Sequence, residues 1–234
     1  MLGRLLPALF GLSARRQRLA HRLAGKPAAA PLFAYLSSPL PARRDDWRQA
    51  RYLVLDLETT GSDPRRDDIL SFGWICLDGE EIPLGSARHR LVLPRRALNE
   101  SSVAIHRITD DRAAGGEGLR QVLDDFLAEL AGRVLIAHYS PTEIGFLDRA
   151  CRNCYGGGFL SPHIDTLELA RRLLPASPPP GSLRLGTLRQ RHHLPRYPLH
   201  HALSDALATA ELFLAQTNAL GRRASPTVGQ LLLD

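Results

Sequence analysis

One stretch constrains the fold more than any other: Tyr52-Leu53-Val54-Leu55-Asp56-Leu57-Glu58-Thr59-Thr60-Gly61. Its first half is a Leu- and Val-rich run closed by a Thr-Thr-Gly turn, which is the pattern of a buried strand. Asp56 and Glu58 lie two residues apart, so on a strand both point to one face. Two like charges at close range at the end of a sheet are costly unless a cation neutralises them. Hard divalent ions such as Mg²⁺ and Mn²⁺ prefer oxygen ligands, which makes the pair a candidate metal cradle. The plainer alternative is an exposed strand end with two solvated acids, and for an isolated Asp-x-Glu pair that alternative stands ahead.

The 234 residues have room for one domain of about 180 residues and an extension. No apolar run reaches the length of a membrane span. Three cysteines (Cys76, Cys151 and Cys154) do not make a disulfide framework in a chain of this size, so a reducing, cytoplasmic compartment is expected. The net charge of +6 is unevenly placed: residues 1–51 carry ten Arg and Lys against two Asp, while the remainder is slightly acidic. The basic character therefore belongs to the N-terminus and does not argue that the globular part binds nucleic acid. Residues 1–25 alternate Leu with Arg in a basic amphipathic helix pattern. A helix docked on the domain or a loosely held arm is expected there. A membrane-surface helix or an organelle transit peptide is the lesser alternative. Residues 26–45 are rich in Pro, Ala and Ser and read as a linker.

Further strands are expected at 69–77 and roughly 82–93, separated by an Asp78–Glu81 turn, so that the first three form an antiparallel meander. Helices follow near 101–106 and 117–131, then a buried strand at 133–137, a helix at 141–153, a short strand near 162–164 and a helix at 165–174. Two more helices, near 184–193 and 201–217, end the domain. Strands first and βα units afterwards predict an α/β fold with a mixed central sheet flanked by helices.

Two more stretches carry chemistry. In His138-Tyr139-Ser140-Pro141-Thr142-Glu143, Glu143 would face the same sheet end as Asp56 if the strands are neighbours. The local pattern instead favours a capping box, with Ser140 as N-cap, Pro141 at the first helical position and Glu143 as its partner. In His200-His201-Ala202-Leu203-Ser204-Asp205-Ala206, Asp205 falls in the first turns of a helix and His200 just before it. Asp205 has a bland alternative as a dipole-favoured helix acid, and the histidines as polar loop residues.

Together these stretches resemble the DEDDh class of 3′–5′ exonucleases, which includes the proofreading epsilon subunit of bacterial DNA polymerase III. Asp56-Leu57-Glu58-Thr59-Thr60-Gly61 is similar to the first family motif, and His200-His201-Ala202-Leu203-Ser204-Asp205-Ala206 to the third. Ile105-His106-Arg107-Ile108-Thr109 and Asp165-Thr166-Leu167-Glu168-Leu169-Ala170-Arg171 resemble segments of the epsilon-like branch. The likeness covers about residues 50–216. The second motif departs: Tyr139, Thr142 and Glu143 stand where the family has Asn, Phe and the catalytic Asp. Glu143 keeps the carboxylate with one more methylene; Asp148 is an alternative donor, out of register.

The resemblance implies a ribonuclease H-like fold over residues 50–218, with an extension and linker at 1–49 and a C-terminal tail at 219–234. It implies hydrolysis of the 3′-terminal phosphodiester of DNA, or of RNA, releasing nucleoside monophosphates with two Mg²⁺ or Mn²⁺ ions. In that scheme Asp56 bridges the ions, Glu58 and Asp205 hold the ion of the attacking water, and Glu143 supports the second. His200 is the general base, with His201 as fallback. Thr59, Thr60 and His106 are the expected substrate contacts. The implied partners are single-stranded or frayed 3′ ends, with a polymerase or sliding clamp as a further partner. Gln230-Leu231-Leu232-Leu233 faintly resembles a clamp-binding peptide, and a docked apolar tail is the favoured alternative. Cys151 and Cys154 have zinc half-site spacing without a second pair, so core cysteines are expected. The competing function is a non-catalytic nucleic-acid-binding or polymerase-associated module that has drifted at its second motif.

Overall fold

The structure, a computed structural model, describes residues 6–94, 108, 114–198, 200–221 and 224–233. Five strands form one sheet: β1 (Arg51–Thr59), β2 (Ile69–Asp78), β3 (Arg88–Leu91), β4 (Val134–Ala137) and β5 (His163–Asp165), in the order β3-β2-β1-β4-β5. β1 runs antiparallel to β2, and β2 to β3, whereas β1–β4 and β4–β5 are parallel. The chain thus leaves β1 toward one edge and returns at β4 on its other side. The C-terminal ends of these two parallel neighbours form a switch point in the strand order, where open α/β sheets place ligands.

Both faces of β1 are covered, which explains its unbroken apolar sequence. Leu53, Leu55 and Leu57 face a core shared with α1 (Leu6–Leu23), α2 (Ala30–Ser37), α3 (Leu119–Leu130) and α4 (Pro141–Tyr155). Tyr52 and Val54 face the other core, built with Trp47, Ile75, Leu77 and Phe213. Phe213 lies on α7 (Ala202–Leu220), which follows α5 (Thr166–Leu173) and α6 (Leu185–Arg191). The mixed sheet between helices is the expected architecture, and the first two strands, the fourth and the fifth fall close to their expected positions.

Two expectations are corrected. The third strand is only the four residues of β3, because a 3-10 turn at Leu84–Ser86 occupies the start of the 82–93 range. The 26–45 stretch is not a plain linker. Pro27 opens a 3-10 turn and Pro31 sits in the first turn of α2, where a missing N–H costs nothing. Leu32, Tyr35 and Leu36 are buried in the main core. The C-terminal segment is docked, the reading favoured for it: α8 (Val228–Leu231) buries Val228 and Leu231 beside Leu232, and the Gln230 side chain accepts from Thr227 N in a capping box. The helix expected near 101–106, and with it His106, lies outside the described residues.

Candidate active site

The carboxylates at the end of β1 meet a third from α7. Asp56, Glu58 and Asp205 each offer an oxygen, and these atoms all lie within 4.8 Å of one another. Glu58 sits at the last regular pair of β1 with β2, immediately before a bulge between Glu58 and Thr59 that ends the ladder. Burial raises all three acids. Asp56 is pushed well above the usual carboxylate range by burial and then by Glu143, Asp205 and Glu58. Glu58 is pushed up to about 7 by burial and Asp205. Asp205 is raised by burial, an effect opposed by backbone hydrogen bonds from His200 and His201. Such a cluster must hold protons or a cation at neutral pH.

The approach of α7 depends on a missing side chain. Gly73 pairs with Asp56 across β1 and β2. A Cβ on Gly73 would lie 2.1 Å from the backbone of both Ala202 and Leu203. The first turn of α7 therefore rests directly on the backbone of β2, and Asp205 arrives beside Asp56. His200 and His201 separate in role. The His201 ring accepts from Ser204 N at 3.4 Å as the N-cap of α7 and stacks on His89 with centroids 4.4 Å apart. His200 adopts a left-handed backbone (φ 62°) while its N–H donates to Asp205 Oδ2 at 2.8 Å, and it lines the cleft beside Asp56 and Asp205. The bond to Asp205 helps hold a conformation that is uncommon for a non-glycine residue.

Glu143 stands in the first turn of α4, buried and electrostatically coupled to Asp56, and its Oε2 has no hydrogen-bond partner. Burial pushes it up to about 8. The capping box expected of Ser140 and Glu143 is absent. Ser140 makes no side-chain cap bond; its hydroxyl instead donates to Asp165 Oδ2 at 3.0 Å. Asp165 is a residue the sequence left without a role in the site. At the end of β5 it accepts from Tyr139 N (2.9 Å), Ser140 N (2.8 Å) and Leu167 N (2.8 Å). It clamps the β4–α4 turn, in which Tyr139 has φ 66°, and so frees Glu143 to face the acids. The one available signal was an Asp directly before a helical run, which reads as an ordinary N-cap. The alternative donor Asp148 is engaged elsewhere, with Arg152 and Phe159 N.

The acids open onto a cleft of about 740 Å³ lined by Asp56, His138, Leu183, Arg184, His200 and Asp205 among others. Burial holds His138 below its ordinary value. Its Nε2 lies 3.0 Å from Leu183 O and its Nδ1 2.8 Å from Thr166 Oγ1. A neutral ring donating from Nε2 and accepting at Nδ1 satisfies both contacts and ties the 175–184 loop to the cleft wall. Arg184, exposed at the N-cap of α6, was not singled out in the sequence. Thr59 and Thr60 spend their hydroxyls on the turn after β1: Thr59 Oγ1 donates to Gly61 O, and Thr60 Oγ1 accepts from Asp68 N.

A divalent cation fits these residues. Asp205 Oδ1 and Glu143 Oε2 are buried without a partner, and the three clustered acids need a counter-charge. An all-oxygen donor set suits Mg²⁺ or Mn²⁺ better than a thiophilic ion.

Several known proteins are similar to this chain. PolC-type DNA polymerase III of Thermotoga maritima is 33% identical over 165 residues, which are 70% of this chain but 12% of that polymerase. The DNA polymerase III subunit epsilon of Aquifex aeolicus is 26% identical over 179 residues, covering 76% of this chain and 86% of that subunit. The chain thus spans only a small part of the PolC-type relatives. Among solved structures, the nuclease domain of 3′hExo, a DEDDh family member bound to rAMP, superposes with a TM-score of 0.65 at 15% identity, covering 81% of this chain and 98% of that one. Exonuclease I of E. coli in its zinc-bound complex with single-stranded DNA has a TM-score of 0.63 at 20% identity, covering 74% and 42%. These likenesses show the fold. Residues 53–213 match the family profile RNase T, exonuclease, an interval that encloses Asp56, Glu58, Glu143, His200 and Asp205, and the chain belongs to that exonuclease family.

Proposed function

We propose that this chain is a metal-dependent 3′–5′ exonuclease that releases nucleoside monophosphates from the 3′ end of a nucleic acid, with DNA as its main substrate. The clustering of Asp56, Glu58 and Asp205, with Glu143 close enough to raise Asp56 and with His200 on the cleft wall beside Asp56 and Asp205, carries the proposal. Two Mg²⁺ or Mn²⁺ ions bound there would supply an activated water and charge stabilisation for the attacking and leaving oxygens. Asp56, Glu58 and Asp205 would hold the metal, with Glu143 as a further carboxylate beside Asp56. The retained carboxylate of Glu143 favours catalysis over a non-catalytic module.

His200, on the cleft wall beside Asp56 and Asp205, would take the proton of the attacking water on its imidazole. His201, spent on the cap and on His89, fits that role less well. The backbone groups after β1 at Thr59 and Thr60 face the terminal nucleotide. Arg184 at the cleft wall meets phosphate as a charge-assisted donor. The curated relatives belong to DNA polymerase III, so a polymerase is the partner class to test first. The docked Gln230–Leu233 segment argues against its use as a clamp-binding peptide.

The test is to supply matched DNA and RNA oligonucleotides labelled at the 5′ end, with and without Mn²⁺. A ladder shortening from the 3′ end, dependent on metal and faster on DNA, is expected. Metal-independent cleavage, or cleavage from the 5′ end, contradicts the proposal.

A further inference from the structure

The N-terminal extension concentrates positive charge. No Asp or Glu precedes Asp45, and residues 1–44 hold eight Arg and Lys. One of these is structural: Arg16 is buried and donates to Leu160 O at 2.5 Å and to Tyr35 O at 3.0 Å, locking α1 to the end of α2 and to the chain after α4. Leu19, Ala20 and Leu23 fill the main core on the same side. An exposed flank of α1 presents Arg15, Arg18 and Arg22, spaced three and four residues apart and therefore on one stripe, with Lys26 just beyond the helix. All four are exposed and make no ion pair among the described residues.

Their position relates them to the cleft. Leu19 and Leu23 abut Gly157, directly after α4, whereas Glu143 lies in the first turn of α4. The fifteen residues of α4 separate the two ends by about 22 Å. Arg120 donates to Cys154 O and to Ala28 O, fastening the segment after Lys26 to the last turn of α4. Next to that tie, Arg65, Arg66, Arg149 and Asn153, with Asp67 and Asp68 among them, line a shallow cleft against the loop that follows β1. Arg65 and Arg66 pair with Asp63 and are more than four-fifths exposed.

We propose that this stripe is a track for a single-stranded nucleic acid. Resting on the exonuclease reading above, the strand upstream of the bound 3′ end passes over α4 by Arg65, Arg66 and Arg149 and is held by Arg15, Arg18, Arg22 and Lys26. The separation corresponds to about seven phosphates at the spacing of about 3.4 Å of a duplex strand, so only longer substrates reach the extension. An anionic membrane is the weaker partner, because the apolar residues Leu19, Ala20 and Leu23 that would enter lipid are already buried in the domain.

The full chain is compared with the variant R15Q/R18Q/R22Q/K26Q on oligonucleotides of about 5 and about 30 nucleotides over a range of salt. For the longer strand, KM is expected to rise about tenfold and the salt slope of log KM to fall by about 3, since each neutralised phosphate of a single strand contributes about 0.7. Cleavage of the shorter strand and the melting temperature are expected to stay unchanged. An unchanged KM and slope for the longer strand overturns the track, as does an equal loss on both lengths. Anisotropy with the longer strand in EDTA separates the two readings. If the wild-type chain cleaves nothing yet binds the strand about tenfold more tightly than the variant, the track stands and the exonuclease reading falls. If the variant loses binding to phosphatidylserine vesicles while strand affinity holds, the stripe serves a membrane and the track is rejected.

Discussion

At the scale of single residues, the site is a concentration of negative charge that folding tolerates only with help. Asp56, Glu58, Glu143 and Asp205 are all raised, Glu58 to about 7 and Glu143 to about 8. A carboxyl raised in the folded state contributes stability that is fully present below its unfolded value, near 4.5, and lost as pH rises through its folded value. In EDTA the melting temperature is therefore expected to fall between about pH 4.5 and pH 8, and saturating Mg²⁺ or Mn²⁺ is expected to raise it most at the upper end. The double variant Glu58→Gln/Glu143→Gln should flatten this pH slope. A melting temperature that climbs across the same window in EDTA contradicts the reading. Asp56, Glu58 and Asp205 were legible in the sequence because their two stretches together resemble the first and third family motifs, whereas spacing alone left a solvated strand end and a helix-dipole acid as plainer readings. Glu143 was masked. Ser140-Pro141-Thr142-Glu143 has every local mark of a capping box, and only Asp165, distant in sequence, removes Ser140 from that role.

At the scale of elements, two contacts set where the carboxylates stand. The first is the seat of α7 on Gly73. Gly73→Ala forces a methyl into the backbone of Ala202 and Leu203, so α7 must shift or β2 must bend. Denaturation should show a loss of about 3 kcal/mol, at the upper end of overpacking costs. Activity should fall by more than about a hundredfold, because a displacement of about 1 Å is enough for that loss. An active, fully stable Gly73→Ala protein contradicts this account of α7. The second is the Asp165 clamp on the β4–α4 turn. Asp165→Asn leaves one amide oxygen where two carboxylate oxygens served four donors, and a destabilisation of about 2 kcal/mol is expected. Melting would rise or stay constant if the clamp were incidental. Neither contact could be read from the chain. A glycine within a strand has many explanations, and an Asp before a helix is most simply an N-cap.

At the scale of the whole molecule, one sheet separates two cores and exposes its strand-order switch point to the cleft. The alternation of strands and helices made this architecture visible in the sequence, because period-2 and period-3.6 patterns survive without knowledge of contacts. The N-terminal region did not yield in the same way. Its Pro, Ala and Ser content suggested a linker, yet Leu32 and Tyr35 are fully buried and stacking of Tyr35 on Phe159 helps bind α2 to the domain. Removal of residues 1–38 is thus expected to lower the melting temperature by several degrees as well as to remove the basic stripe; an unchanged melting temperature would mean that the extension adds nothing to the core.

The central claim is that four carboxylates form one metal-dependent hydrolytic centre, and Glu143 is its least predictable member. The most direct measurement is the rate of 3′-terminal nucleotide release from a 5′-labelled single strand by Glu143→Gln, at saturating Mn²⁺, with its melting temperature recorded alongside. The rate is expected to be lower by about a hundredfold or more, with a melting temperature equal to or above that of the wild-type chain in EDTA, because a buried carboxyl whose ionisation the site disfavours has been removed. A wild-type rate accompanied by a fall in melting temperature would make Glu143 a structural residue and contradict the four-carboxylate centre.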